Sequence, residues 1–209
     1  MGKLLYIQAS PRGKRSYSLA VADAFVESYC GVHRCDEIAK LNVFTTHLPP
    51  FDGLAVQAKY SILHGQKHSQ EEMAAWKAVE AVISDFRSAD KYVLAVPMWN
   101  FGIPYRLKQY LDLLIQPTYT FSYSPEEGYK GLLVGKRAFI AYARGGEYPA
   151  GTPAESFDFQ KKYLETALGF MGISDVQSVV VEPTLRGADL AAAKRDAAIA
   201  KARELAKVF

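Results

Sequence analysis

The chain has 209 residues, with 49% hydrophobic and 22% charged side chains and a formal net charge of +3. That length supports a sizeable core in a single domain spanning 1–209, and the composition is ordinary for a globular protein. The charge is small and dispersed, which argues against a nucleic-acid partner, and no run of about 18 apolar residues is present to span a membrane. Met1-Gly2-Lys3 leads straight into an apolar run without a signal-peptide layout, so the expected compartment is the cytoplasm.

In chain order, the first element is a strand over Leu4–Ile7, followed by the polar loop Ser10-Pro11-Arg12-Gly13-Lys14-Arg15-Ser16-Tyr17-Ser18. A helix over residues 18–30 places Leu19, Ala22, Val26 and Tyr29 on one face. Cys30-x-x-His33-x-Cys35 looks like metal-ligand spacing, but no fourth ligand is near, and reduced thiols are expected. Glu37–Phe44 is a weaker strand, and Leu48-Pro49-Pro50-Phe51-Asp52-Gly53 begins a long irregular segment. His64 and His68 are spaced i, i+4, yet Gly65 between them speaks against a helical metal pair.

Ser69-Gln70-Glu71-Glu72 is a capping box, after which Trp76, Val79, Ile83 and Phe86 form a helical stripe. Tyr92–Val96 is the next strand, and Pro104 fits the first turn of a helix that turns Leu107, Leu111 and Leu114 inward. Near residues 118–132 a hairpin excursion is expected, because Tyr119, Phe121 and Tyr123 alternate before the turn Pro125-Glu126-Glu127-Gly128. Strands over Ala138–Tyr142 and Val176–Val181 flank a helix over Asp158–Gly172. An Ala-rich helix over 188–208 aligns Ala198, Ala202, Leu205 and Phe209.

The strong strands are continuous apolar runs rather than alternating ones, which suits strands covered on both faces of a parallel sheet. Alternation with helices then gives a doubly wound α/β sandwich around a central parallel five-stranded sheet. In such folds ligands bind beyond the carboxyl ends of the strands, where the strand order reverses. Three unusual loops should meet on that edge: the Ser/Arg loop, Pro97-Met98-Trp99-Asn100-Phe101-Gly102-Ile103-Pro104, and Ala143-Arg144-Gly145-Gly146-Glu147-Tyr148.

The first of these loops offers serine hydroxyls, basic side chains and the N–H groups of a helix start, a setting for a phosphate. It lacks the Gly-x-Gly-x-x-Gly of dinucleotide folds and the Gly-Lys-Ser/Thr of a P-loop, which favours a single terminal phosphate. Met98, Trp99 and Phe101 offer contact for a flat heteroaromatic ring, Asn100 and backbone N–H groups offer edge donors, and Gly145 and Gly146 allow close backbone approach. Taken singly, each loop has a plain alternative: a capped helix with a solvated basic loop, aromatic core packing, or a turn. Together they describe a site for a mononucleotide with a tricyclic base, and FMN fits it.

Ser10-Pro11-Arg12 with Ser16-Tyr17-Ser18, the loop Pro97–Pro104, Leu107-Lys108, Gly131-Leu132-Leu133 before Gly135-Lys136, and Arg144-Gly145-Gly146 carry a resemblance. Asp158-Phe159-Gln160, Tyr163-Leu164 and Leu168-Gly169-Phe170 complete it, from residue 3 to about residue 172. The chain resembles the bacterial FMN-dependent NADH:quinone oxidoreductases, or azoreductases, of the flavodoxin-like superfamily. That resemblance implies a homodimer with FMN at its interface, phosphate held by Ser10 and Ser16–Ser18, the isoalloxazine by Met98–Phe101, and its pyrimidine end by Ala143–Gly146. The family often has Ser where this chain has Ala143, so one hydroxyl contact is missing. Phe121 and Tyr148 are expected to border the acceptor pocket.

The implied reaction is ping-pong electron transfer from NADH or NADPH to a quinone or an aromatic azo compound, with no side chain required as acid, base or nucleophile. A flavodoxin-like electron carrier without NAD(P)H turnover is the rival reading, although carriers of this fold are generally smaller and acidic. A regulatory module that has lost its flavin is a further rival. No metal ligand set is expected.

Overall fold

A computed structural model describes residues 2–34, 36–67 and 69–209. Cys35 and His68, the last members of the two metal-like spacings, lie outside these residues. Among the described residues, seven strands and six α-helices follow in order: β1 Lys3–Gln8, α1 Tyr17–Val32, β2 Glu37–Asn42, α2 Gly53–Leu63, α3 Gln70–Ser88, β3 Lys91–Pro97 and α4 Tyr105–Leu114. Then come β4 Phe121–Ser124, β5 Gly128–Gly131, β6 Arg137–Ala143, α5 Phe159–Phe170, β7 Asp175–Val181 and α6 Ala188–Lys207. A single turn of 3₁₀ helix, Gly13–Arg15, precedes α1.

The five long strands form one all-parallel sheet in the order β2-β1-β3-β6-β7. Because side chains alternate across a strand, successive residues of one apolar run feed two cores. Leu4 and Tyr6 pack with Phe25, Val93, Phe139 and Ala202 under α1 and α6. Leu5 and Ile7 pack with Val79, Ile83, Leu107, Ile140 and Leu168 under α2 to α5. Phe25 shows how tight the first core is: its ring stacks on Phe139 at 3.9 Å and meets the edge of Phe209 at 5.1 Å. Burying one such ring stabilises the fold by about 2–3 kcal/mol.

The caps explain where the helices start. Ser16 accepts from the Leu19 N–H at the start of α1, and the Ser69/Glu72 capping box is formed at α3. Asp158 accepts from the Lys161 N–H, so α5 begins at Phe159 and Asp158 is its cap. Pro104, expected inside the first turn of α4, is instead its cap residue, with extended ψ of 141°. In α6 the inward position falls to Ala206, while Leu205 is half-buried.

The segment after β2 departs from expectation. The stretch up to Asp52 is irregular, but Asp52 then accepts from the N–H groups of Leu54 and Ala55 and caps α2, which interrupts the segment. Its inward side is Ala55, Ala58 and Ser61, too small to leave a hydrophobic stripe in the sequence. The irregular stretch is pinned to α4: the Arg106 guanidinium donates to the carbonyls of Val43 and Thr46 at 2.8 and 2.9 Å, and the Gln109 amide to that of Pro49 at 3.1 Å.

The hairpin forms as β4 and β5, with Tyr123 opposite Tyr129 and Phe121 opposite Gly131. A Cβ at Gly131 would lie 2.2 Å from the Gly172 nitrogen, so only glycine lets the hairpin close on the end of α5. No helix among the described residues is long and apolar enough to cross a membrane.

Candidate active site

The helix after β1 lies on one face of the sheet and the helix after the adjacent β3 lies on the other. Loops leaving these two strands therefore diverge and open a crevice between them. Ser10, Arg12, Ser16 and Tyr17 line it from one side, Pro97, Met98 and Trp99 from another, and Ala143, Arg144 and Gly145 from a third. The three loops singled out in the sequence thus meet in one cleft.

At the first wall, the Ser16 hydroxyl caps α1 and lies 3.2 Å from the Ser18 hydroxyl, which is buried beneath it. Tyr17 and Ser18 are the first residues of α1, where N–H groups have no acceptor within the helix. Arg12, Lys14 and Arg15 are exposed, and none pairs with a carboxylate among the described residues. Unpaired cations beside free helix-start donors suit an anion. A second opening of about 450 Å³, containing Gln8 and Asn42, shares Ser10 and Ser16 with the cleft.

The second wall is a two-residue hairpin. Trp99 and Gly102 exchange two backbone hydrogen bonds of 3.0 Å, and between them Asn100 and Phe101 adopt φ of 46° and 70°. Left-handed backbone is ordinary for asparagine and costly for phenylalanine, so the strain sits at the cleft mouth. The turn leaves Asn100 and Phe101 exposed at its tip rather than lining the cleft floor. Phe101 leans on Phe157, ring centres 5.4 Å apart, while Trp99 sits 5.6 Å from Phe44 and 6.2 Å from Tyr105.

At the third wall, the Ala143 carbonyl accepts from the Met98 N–H at 2.8 Å, joining two walls directly. The N–H groups of Gly145 and Gly146 have no acceptor among the described residues. The Arg144 backbone borders the cleft, but its side chain does not face it. The guanidinium is buried, held by Asp158, Gln160 and Glu182. Gly146 turns toward Tyr148, whose ring lies 5.6 Å from the Arg144 guanidinium carbon, in a separate cavity of about 360 Å³.

Two expected pocket residues therefore sit elsewhere in this chain. Tyr148 is drawn from the cleft by its stacking on Arg144. Phe121 packs on Phe170 at 4.8 Å and Tyr129 at 6.0 Å, away from the cleft of its own chain.

A fourth wall was missed. Thr184 and Leu185, just after β7, complete the cleft. The Thr184 N–H and hydroxyl donate to the Arg144 carbonyl, and the Leu185 side chain lies 2.6 Å from where a Cβ on Gly145 would be. Their position after a strand's carboxyl end was the available signal. The cleft lining contains no His, Cys, Asp, Glu or Lys, and no cluster of three metal-ligating side chains occurs among the described residues.

A five-stranded parallel sheet of this order, with a cleft offering anion donors on one wall and an aromatic turn on another, is a flavodoxin-like architecture suited to a mononucleotide. A family described as having the flavodoxin-like fold matches residues 2–206. The chain is 54% identical, over the whole of both sequences, to the FMN-dependent NADH:quinone oxidoreductase of Nitratidesulfovibrio vulgaris (strain DP4). Against the protein of the same name from Desulfotalea psychrophila it is 44% identical over 98% of each. Among solved structures, the azoreductase from Bacillus anthracis str. Sterne matches with a TM-score of 0.92 at 30% identity, covering all of both chains. The FMN-dependent NADH-azoreductase from Bacillus anthracis str. Ames Ancestor, in complex with FMN, matches at 0.89 and 29%, over 98% of this chain and 97% of that one. The chain belongs to the family of FMN-dependent NADH:quinone oxidoreductases, the azoreductases.

Proposed function

We propose that this protein, a single domain over residues 1–209, binds FMN in the cleft and passes electrons from NADH to quinones and aromatic azo compounds. The observation that carries this is the convergence of the walls: unpaired cations and free helix-start donors at one, the aromatic turn at the next, free glycine N–H groups at the third. The named relatives agree with it. Bound FMN supplies reversible two-electron chemistry, taking electrons from a reduced nicotinamide and yielding them to an acceptor.

Everything else falls to this chain's residues. Ser10, Ser16, Tyr17 and Ser18 hold the phosphate, and Arg12 adds charge beside them. Met98 and Trp99 would cover the ring from within the cleft, and Asn100 and Phe101 from its mouth. The N–H groups of Gly145 and Gly146, next to Ala143 and Arg144, would donate to the pyrimidine edge of the ring. Because the flavin would carry the chemistry, no side chain is assigned as acid, base or nucleophile. The reduced nicotinamide and the acceptor would use the same cleft in turn, which predicts ping-pong kinetics.

The protein works as a cytoplasmic homodimer. Tyr105 and Phe157, 66% and 50% exposed, lie beside Trp99 and Phe101 at the cleft mouth. An apolar rim of this kind is what a subunit interface covers. A dimer also gives Phe121 and its hairpin a place at the partner's cleft.

The test is steady-state turnover of the FMN-loaded protein with NADH and a soluble quinone, alongside its mass in solution. Turnover with parallel double-reciprocal lines and a dimeric mass agree with the proposal. A flavin-loaded protein that does not oxidise NADH in the presence of quinone is a carrier instead.

A further inference from the structure

Arg144 is surrounded as few surface-loop arginines are. Its side chain is 2% exposed. Nη2 donates to Asp158 at 2.7 Å, Nε to Gln160 at 2.9 Å and Nη1 to Glu182 at 3.3 Å. The rings of Tyr142 and Tyr148 lie 5.7 and 5.6 Å from its central carbon. Burying an ion pair is weak evidence of stability, because desolvation offsets most of the attraction. The arrangement calls for another role.

That role is visible in what the network joins. Gln160, held by Arg144, donates its amide to the Val96 carbonyl at 3.0 Å, just before the Pro97–Pro104 loop. Asp158, the second partner, caps α5 through the Lys161 N–H. Glu182 lies directly before Pro183 and Thr184. Arg144's own N–H donates to Val181, and its carbonyl accepts from both donors of Thr184. One buried guanidinium thus ties the ends of β3, β6 and β7 to the start of α5, and three cleft walls leave from those strand ends.

We propose that Arg144 is a positioning residue: through Asp158, Gln160 and Glu182 its side chain sets the Gly145–Gly146 donors against the Met98–Phe101 turn, without itself touching the flavin. This rests on the FMN reading above and adds to it the origin of the cleft's rigidity. A guanidinium is suited to the task because its planar fork fixes several partners at once, which the single ammonium of lysine cannot do.

The test uses the full chain with Arg144→Lys, Gln160→Met and the double variant. Gln160→Met is near in size and leaves the charge unchanged, so it carries the test where Arg144→Lys fails to fold. FMN affinity is read by quenching of flavin fluorescence. Amide exchange of the apoprotein is read at Met98, Arg144 and Thr184, whose N–H groups bridge the walls. Each single variant is expected to weaken FMN binding by about tenfold and to speed exchange at these amides. The double variant is expected to lose less than the product of the two, because both break one network. Lower thermal stability with unchanged affinity and unchanged exchange overturns the proposal and leaves a purely structural ion cluster. A wild-type chain that takes up no FMN defeats the flavin reading; exchange still decides the positioning claim, faster in the variants upholding it and unaltered overturning it.

Discussion

Phe101 carries unfavourable backbone geometry at the mouth of the cleft, and replacing it separates stability from function. Its φ of 70° follows 46° at Asn100, within a turn closed by two 3.0 Å hydrogen bonds. Left-handed backbone costs a non-glycine residue roughly 1–2 kcal/mol, which Phe101→Gly removes. Against that, glycine's extra freedom in the unfolded chain takes back about 0.5–1 kcal/mol. The partly exposed contact with Phe157, ring centres 5.4 Å apart, is worth about another 0.5–1 kcal/mol. These offset to within about 1 kcal/mol, a shift of no more than about 4 °C in Tm for a chain of this size. The ring's loss as a wall is different. It is expected to cost about tenfold in FMN affinity, about 1.4 kcal/mol, the equivalent of roughly 50–60 Å² of apolar burial. Thermal melting of the apoprotein and a fluorescence titration with FMN measure the two quantities independently. A fall of more than about 8 °C in Tm with unaltered FMN affinity would refute the reasoning and make Phe101 a packing residue.

Three further substitutions probe the first wall, the aromatic turn and, at Glu165, the separate cavity beside Tyr148. Ser16→Asp keeps an acceptor for the α1 cap but sets a charge against the phosphate; about 4 kcal/mol of repulsion at about 4 Å corresponds to roughly a thousandfold weaker FMN binding. Full flavin occupancy in that variant would move the phosphate elsewhere. Asn100→Ala should lower FMN affinity or turnover while the circular dichroism spectrum is unchanged, and unchanged affinity and rate would remove Asn100 from the site. Glu165 bears on pH: burial holds its carboxyl above the ordinary value of 4.5, with Asp158 adding to the rise and Lys161 opposing it. A carboxyl raised in the folded state favours folding while protonated, and that contribution is lost as pH rises from 4.5 through the folded value. Glu165→Gln should therefore match the parent in Tm near about pH 4 and exceed it near about pH 7. An advantage confined to low pH would contradict the sign.

Much of the fold is legible because the chemistry is local. Leu4–Ile7, Tyr92–Val96 and Ala138–Tyr142 are continuous apolar runs, and each became an interior strand of the sheet, covered on both faces. Ser69 and Glu72 state the start of α3 within four residues. What escaped the sequence depends on small residues or on distant partners. The inward face of α2 is two alanines and a serine behind a Pro-Pro-Phe-Asp-Gly stretch, so no apolar stripe announces it. Tyr148 was assigned by its nearness to Gly145-Gly146, but burial of Arg144 draws the ring to the guanidinium. Phe121 was assigned by strand alternation, which fixes a face but not what covers it; Phe170, 49 residues away, does. Thr184 follows a strand's carboxyl end, which the sequence shows, but it reaches the cleft because β7 pairs with β6, which local sequence does not encode.

The most direct test of the central claim is an anaerobic visible spectrum of the purified protein with added FMN, taken before and after NADH and again after a quinone. The account predicts a bound oxidised-flavin spectrum that bleaches with NADH and returns in full on adding quinone. Absence of any bound flavin spectrum would contradict the convergence of the cleft walls on FMN, and a bound flavin that NADH leaves oxidised would contradict the proposed electron transfer.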